Sequence, residues 1–180
     1  MLVVINDMLR DKGLMLRAGT VVDATPIAAP SSTKNASGTR DPEMYQTKKG
    51  KQWYFAMKAH IGADAASSLV HTVRGTAANV NDLVEANSLL HGAETDAFGD
   101  VGYQGAHRRV DAAPGVDWHV AMRPGKRAAM DKSKAIGAMT DELERIKASI
   151  RAKVEHPFRV IKRQFGFVKI RYRGLKKNTA

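Results

Sequence analysis

The chain contains no cysteine among its 180 residues. Disulfide bridges and thiolate metal sites are therefore excluded, and the absence agrees with a cytoplasmic protein. No apolar run approaches the roughly 18 residues that a membrane span needs, so a membrane partner is not expected. Residues 1–7 contain an acid and no Lys or Arg, whereas a secretory leader would carry basic residues there. These features predict a cytoplasmic protein.

Acidic side chains are missing from the C-terminal end. After Glu155 there is no Asp or Glu, whereas eight Lys and Arg residues follow, and the whole chain has a formal net charge of +11. A C-terminal segment with this much positive charge is expected to bind phosphate backbones through counterion release. Aromatic residues make up only 6% of the chain. Because RNA-binding modules usually present exposed aromatics, this disfavours a structural RNA-binding protein.

The pattern of apolar, β-branched and turn residues predicts one α/β domain over residues 19–180, preceded by a lead-in helix over 1–18. The predicted strands are 19–27, 53–61, 69–75, 95–99 and 117–122, the helices 81–90, 107–113 and 141–164, and the loops 28–52 and 123–138. The second and third strands form a hairpin, in which His60 and His71 are interpreted as structural residues. Thr140 is the predicted N-cap of the last helix.

Two aspartates stand at unusual places in predicted strands. Asp23 lies within the β-branched run Thr20–Ile27, and burying it costs several kcal/mol unless it pairs or binds a metal. The alternative is an Asp that caps a turn before Pro26. Asp100 follows a short strand and is surrounded by glycines that let backbone or ligand approach closely. The end of such a strand is where sites in α/β sheets gather.

A third carboxylate, Glu155, lies on the predicted C-terminal helix. At about 100° per residue, it shares one face with Arg151 and Lys162. An apolar stripe runs beside that face through Leu143, Ile146, Ile150, Val154, Phe158, Ile161 and Phe165. Glu155 fits a metal ligand that faces a polyanion, and the alternative is a solvated Glu in ordinary ion pairs. Pro157 is expected to kink or restart the helix.

The three carboxylates meet if the first strand is central and lies next to the fourth. The last helix can then lay Glu155 across Asp23 and Asp100. Three such groups repel one another unless cations intervene. Carboxylate oxygens favour Mg²⁺ or Mn²⁺ as those cations.

Three motifs carry a resemblance to a known family. Val-Val-Asp23-Ala-Thr, Gly-Asp100-x-Gly-Tyr103 and Arg151-x3-Glu155-x6-Lys162 resemble the catalytic motifs of bacterial insertion-sequence transposases of the Asp-Asp-Glu class, in the group named after insertion sequence five. The resemblance implies a ribonuclease-H-like fold and two Mg²⁺ or Mn²⁺ ions held by the three carboxylates. It also implies DNA contacts, for which the candidates are Arg151, Lys162, Lys48, Lys49, Tyr103 and Lys126.

The partners implied by the resemblance are the terminal inverted repeats of an element and a target DNA. It allows a homodimer on DNA and places the protein with the nucleoid in a bacterial cytoplasm. The sequence departs from the family at Ala148, where a Tyr is common, and family members carry further sequence at both ends. A truncated copy is therefore expected. The alternatives are a truncated, catalytically inactive DNA-binding remnant or transposition inhibitor, and a generic ribonuclease-H-like nuclease.

Overall fold

The computed structural model describes residues 1–15 and 18–179, apart from the side chain of Lys49. Within that part of the chain, six strands form one mixed sheet. They are β1 (Gly19–Ala28), β2 (Tyr45–Lys49), β3 (Gln52–Asp64), β4 (Val70–Ala77), β5 (Asp96–Gly99) and β6 (Asp117–Val120). Their order is β2–β3–β1–β5–β6, and β4 pairs with the same edge of β3 as β2.

The central strand is β1. It pairs antiparallel with β3 from Thr20 to Ala28 and parallel with β5 from Gly19 to Val21. Its β-branched residues are buried on both faces of the sheet, which is the environment that favours such residues. The predicted neighbours are confirmed, because the first strand lies next to the strand that leads to Asp100. The predicted hairpin is formed by β3 and β4.

Helices cover both faces of this sheet. They are α1 (Leu2–Asp11), α2 (Asp82–Glu85), α3 (Pro124–Ala128), α4 (Ala135–Arg151), α5 (Glu155–Arg159) and α6 (Leu175–Thr179). The predicted fold class, a mixed α/β sheet flanked by helices with a long helical C-terminal region, is confirmed. The predicted lead-in helix over 1–18 is helical over α1, and residues 16 and 17 lie outside the described part of the chain.

Alternate residues of β1 serve different faces of the sheet, as the pleat of a strand requires. Val21 packs in one cluster with Val154 and Phe158, from the C-terminal helical region. Val22 packs in another cluster with Leu89 and Tyr103 on the opposite face. By the same alternation, the odd-numbered residues that follow Val21 on β1 face the C-terminal helices.

Two predicted loops contain regular structure. Residues 28–52 include β2, which pairs with the first residues of β3 and follows the buried Met44. Residues 123–138 include α3 and the first turn of α4. The predicted helix over 107–113 is instead a single 3₁₀ turn at Ala106–Arg108. Short elements of this kind depend on tertiary pairing more than on local pattern, so the sequence signal for them is weak.

The C-terminal helix begins earlier than predicted and changes its winding. α4 starts at Ala135, so Thr140 is not an N-cap, and its hydroxyl donates to the carbonyl of Ile136 within the helix at 2.7 Å. After α4 come a 3₁₀ turn, α5 and a π-helical turn (Val160–Gln164). Pro157 has no N–H to donate to the carbonyl of Lys153, which explains a change of winding at this point.

The first half of the predicted apolar stripe does not face the core. Leu143 and Ile146 on α4 are 54% and 45% exposed, whereas Glu144 is buried. The Glu144 carboxylate is accommodated because it accepts the N–H of Met122 at 2.8 Å and forms an ion pair with the next lysine of the helix. Contact with the core is made by the middle of the stripe, at Ile150, Val154 and Phe158, and its last residue, Phe165, is exposed.

Replacement of Gly62 by Ala tests the packing of this sheet. Gly62 lies on β3, and a Cβ there would overlap the carbonyl oxygen of Leu89 and lie 2.8 Å from Cε1 of His71. We expect Gly62→Ala to lower the free energy of unfolding by about 1–3 kcal/mol in urea titrations, since overpacking forces neighbours apart. Gly125→Ala is the control, because a Cβ at this position of α3 meets nothing within 4 Å. Equal stability of the two variants would contradict the described packing.

Candidate active site

The pairing of β1 with β5 brings two of the predicted carboxylates side by side. Val21 pairs with Phe98 in a parallel register, and continuing that register by two residues sets Asp23 opposite Asp100. Neighbouring strands lie about 4.8 Å apart, and directly opposite residues share a face of the sheet. Asp23 and Asp100 therefore lie together at the carboxyl end of β5, on the face that the C-terminal helices cover.

Glu155, the first residue of α5, supplies the third carboxylate. Its neighbours Val154 and Phe158 are buried against Val21, which lies two residues before Asp23 on the same face of β1. These apolar contacts hold the start of α5 over the strand. Glu155 itself is exposed, so its carboxylate is accessible at the edge of the core, as the sequence predicted.

The three negative charges act on one another. The pKa of Asp23 is raised from 3.8 to about 6, mainly by burial and further by the charges of Asp100 and Glu155. The N–H of Ala24, which donates to Oδ1 of Asp23 at 2.7 Å, and the guanidinium of Arg151 oppose this rise. An ionised Asp23 is thus unfavourable until further positive charge reaches the site.

Among the described residues, the three carboxylates are not found as a group whose ligand atoms lie close enough to share one ion. In the part of the chain that the structure describes, one group of three His, Asp or Glu residues has ligand atoms that all lie within 4.8 Å of one another, and it is a different group. Two-ion sites hold their ions about 3.5–4 Å apart and so need a wider set of ligands. The donor chemistry fits hard cations, because carboxylate oxygens are the ligands that Mg²⁺ and Mn²⁺ favour.

A short turn fixes the position of Asp100. Its Oδ1 accepts the N–H of Gly102 at 2.7 Å, so that Asp100 caps the 3₁₀ turn Val101–Tyr103. A Cβ at Gly102 would lie 2.9 Å from this oxygen. Glycine is therefore required here by the close approach of the carboxylate.

Two of the predicted DNA-binding cations lie at the carboxylates. Arg151 is close enough to lower the pKa of Asp23, and the ammonium of Lys162 donates to Oγ1 of Thr25, two residues beyond Asp23 on β1. An open cleft of about 540 Å³ lies beside them and is lined by Thr25, Glu155, Phe158, Arg159, Lys162 and Arg163. The cleft is thus lined by one candidate metal ligand, Glu155, and by basic side chains.

The other predicted lysines lie in other parts of the surface. Nζ of Lys48 lies 5.9 Å from the ring centroid of the exposed Trp53, near the tip of the β2–β3 hairpin. Lys126 on α3 lines a second cleft of about 390 Å³ with Arg123 and Lys147. No described contact links Lys48 or Lys126 to the three carboxylates. The side chain of Lys49 lies outside the described part of the structure.

Tyr103 does not have the role that the sequence predicted. It is fully buried and its ring stacks on Trp118, with 6.3 Å between the ring centroids. Burial raises the pKa of its hydroxyl, and Asp82, Asp23 and Asp100 raise it further. A DNA contact is contradicted by this burial. The tyrosine of the motif is a core residue that supports the turn of Asp100.

One ion pair beside the site was missed by sequence reasoning. Lys58 on β3 donates to Oδ1 of Asp82 at 2.8 Å and to the carbonyl of Val80 at 2.7 Å. Oδ2 of Asp82 lies 3.9 Å from the position that a Cβ at Gly102 would occupy, close to Asp100. The feature of the sequence that could have indicated this ion pair is a lysine within the predicted apolar strand 53–61. A half-buried lysine of this kind needs an acidic partner.

These features define a class of protein. A mixed sheet with carboxylates on two adjacent parallel strands and a third on the helix that covers them is consistent with the ribonuclease-H-like fold. A family model described as "Transposase DDE domain" matches residues 15–180. The chain therefore belongs to this transposase family. No solved structure matches the chain, and among the described residues there is no helix that is both long and apolar enough to span a membrane.

Asp23→Asn tests the electrostatics of the site. Because the pKa of Asp23 is raised from 3.8 to about 6, the metal-free fold loses stability between about pH 4 and pH 6, and the penalty is complete above pH 6 and absent below about pH 4. The upper bound at neutral pH is about 3 kcal/mol, and solvent screening reduces it to about 1–2 kcal/mol. In EDTA, thermal unfolding should show Asp23→Asn more stable than wild type at pH 8 and equal to it at pH 4. Glu142→Gln, an exposed change on α4, should show no such gain. An Asp23→Asn variant that is less stable than wild type at pH 8 would contradict the assignment of a raised pKa to Asp23.

Proposed function

We propose that this chain cleaves and joins DNA phosphodiester bonds at the ends of an insertion sequence, with Asp23, Asp100 and Glu155 holding two Mg²⁺ or Mn²⁺ ions. The observation that carries the proposal is the parallel pairing of β1 with β5, which brings the strand of Asp23 next to the strand that leads to Asp100, while Val154 and Phe158 pack the start of α5 against Val21 of β1. Family membership supports DNA as the substrate. Beyond membership of the family, we propose the reaction, the metal ligands and membership of the group named after insertion sequence five.

Different parts of the fold hold the three carboxylates in place. Asp23 and Asp100 are held by strand pairing and by N–H donors, and Glu155 is brought to them by the packing of α5. When bound, the ions would activate a water or a DNA 3′-hydroxyl and stabilise the leaving oxygen. Arg151 lowers the pKa of Asp23 and so opposes part of the rise that burial causes.

The basic residues are proposed to hold the DNA backbone. Lys162, Arg159 and Arg163 line the cleft next to Glu155, so a phosphate in this cleft lies beside the candidate ligands. Lys48 with the exposed Trp53, and Lys126 with its neighbours, supply more distant contacts. Such contacts position the duplex without reading its sequence. The inverted repeats, the target site and a homodimer on DNA remain part of the proposal.

Cleavage is tested with labelled DNA that carries terminal inverted repeats. With Mg²⁺ or Mn²⁺, we expect nicking at the element end by the wild type, and a loss of at least about 10³-fold in Asp23→Ala, Asp100→Ala and Glu155→Gln, because each loses a ligand. DNA binding should persist in all three. Glu142→Gln is the matched control, since Glu142 lies on the adjoining helix and pairs with Arg145.

Other outcomes distinguish the rival functions. DNA binding without nicking by the wild type would support an inactive remnant and contradict the proposal. Equal cutting of RNA–DNA hybrids and of DNA without inverted repeats would indicate a generic ribonuclease-H-like nuclease.

Lys162→Ala tests the phosphate contact. We expect weaker DNA binding at every sequence and a decrease of about 1 in the slope of log K against log salt, because one phosphate contact is lost. Arg145→Ala is the control, as Glu142 already neutralises Arg145 through two hydrogen bonds at 2.8 and 2.7 Å. Equal effects of the two variants on the salt slope, measured by fluorescence anisotropy, would overturn the assignment of Lys162.

A further inference from the structure

The hairpin formed by β2 and β3 extends beyond the candidate active site. β3 pairs with β1 from Ala56 onward, so that Ile61 lies opposite Asp23, whereas the residues of β3 before Ala56 pair with β2. Trp53 lies near the start of β3, eight positions before Ile61. At about 3.3 Å per residue, it stands roughly 26 Å along the strand from the level of Asp23. The tip of the hairpin therefore contacts a substrate well away from the carboxylates.

Trp53 lies on the same face of the sheet as Asp23. Side chains alternate between the two faces along a strand, and Trp53 is an even number of positions from Ile61, the partner of Asp23. Ile61 packs in one cluster with Val154 and Phe158. The ring of Trp53 is thus on the side of the sheet that the C-terminal helical region covers.

Two aromatic rings on this face each have a cation beside them. Trp53 is 63% exposed, and its cross-strand partner is Lys48, whose Nζ lies 5.9 Å from the ring centroid. Two residues further along the same face, the guanidinium of Arg40 lies 5.5 Å from the ring centroid of Phe55. A ring that is largely open to solvent and flanked by cations is the arrangement with which proteins hold unpaired nucleotides.

The charge of the hairpin has a single sign. Between Glu43 and Asp64 the sequence contains no Asp or Glu and four lysines. Of these, Lys58 lies near the site and pairs with Asp82, whereas Lys48 and Lys51 are exposed at the tip of the hairpin. A surface with this charge complements a phosphate backbone. The hairpin therefore suits a nucleic acid as its partner.

Further lysines lie between the hairpin and the carboxylates. The ammonium of Lys162 donates to Thr25, which lies two residues beyond Asp23 on β1. Lys169 is exposed, and its backbone pairs with that of Ala28 at the end of the same strand. A DNA strand that runs along β1 from the carboxylates to the hairpin passes both lysines.

We propose that the ring of Trp53 stacks on an unpaired base of a DNA strand whose backbone is held by Lys48 and by the lysines along β1. The base must be unpaired, because bases within a duplex are stacked on one another and have no free face. At about 3.4 Å per stacked nucleotide, the base lies roughly eight nucleotides from the phosphate at the carboxylates. The inference rests on the proposed function in taking DNA at the carboxylates as the substrate.

Tryptophan fluorescence of the full chain, in EDTA, tests the stacking. The chain has two tryptophans, and the second, Trp118, is half-buried and stacks on Tyr103. An oligothymidylate of about 15 nucleotides, near the upper end of single-strand site sizes, should quench the fluorescence of the wild type. The Trp53→Phe variant should show no quenching and should keep most of the affinity, because phenylalanine also stacks on bases.

The affinity for the same labelled oligonucleotide, measured by anisotropy, should fall about 5- to 150-fold in Trp53→Ala, since one stacked base is lost. Tyr45→Ala is the matched control and should bind as the wild type does. Tyr45 is 56% exposed on the same hairpin, and its pairing with Ala56 puts it on the opposite face of the sheet. Blunt duplex DNA should bind Trp53→Ala as tightly as it binds the wild type.

Several results would overturn the inference. They are no binding of the oligonucleotide or binding without quenching, equal losses in Trp53→Ala and Tyr45→Ala, and an equal loss for the blunt duplex. Because binding is measured without metal ions, it is separate from cleavage. Quenching in a wild type that never nicks DNA would contradict the proposed function and leave the stacking intact. Nicking by a wild type that shows no quenching would overturn the stacking alone.

Discussion

The parallel pairing of β1 with β5 is the constraint on which the candidate site depends. It brings the strand that carries Asp23 next to the strand that leads to Asp100, although 76 residues separate the two aspartates along the chain. Burial raises the pKa of Asp23, and repulsion by the charges of Asp100 and Glu155 raises it further. The apolar residues of β1 maintain the pairing against that repulsion. Cations bound by these carboxylates, as proposed, would relieve that repulsion.

The C-terminal helical region depends on the same strand. Val154 and Phe158 are anchored by Val21, and this contact decides where Glu155 lies relative to Asp23. The break in winding after Arg151 allows α4 to leave the core, so that its first half carries an exposed apolar side while α5 stays on the sheet. Packing around one strand thus positions all three carboxylates, while the basic residues on the same helical region line the cleft next to them.

Sequence reasoning predicted the central features of this arrangement. The Asp within a β-branched strand and the Asp after a short strand were recognisable because each violates a local propensity. That the first strand lies next to the fourth was stated as a condition for the carboxylates to meet, and the pairing of β1 with β5 fulfils it. The start of α4, the strand β2 and the burial of Tyr103 were not predictable, because each depends on contacts between distant residues. The pair of Lys58 with Asp82 was missed for the same reason.

The central claim is that three distant carboxylates share divalent ions. A crystal structure with Mn²⁺ and DNA of an element end, in which anomalous scattering locates the metal, tests it most directly. The account predicts two Mn²⁺ peaks about 3.5–4 Å apart that contact oxygens of Asp23, Asp100 and Glu155, with a DNA phosphate beside Lys162. Manganese bound elsewhere, with these three carboxylates uncoordinated in the DNA complex, would contradict it.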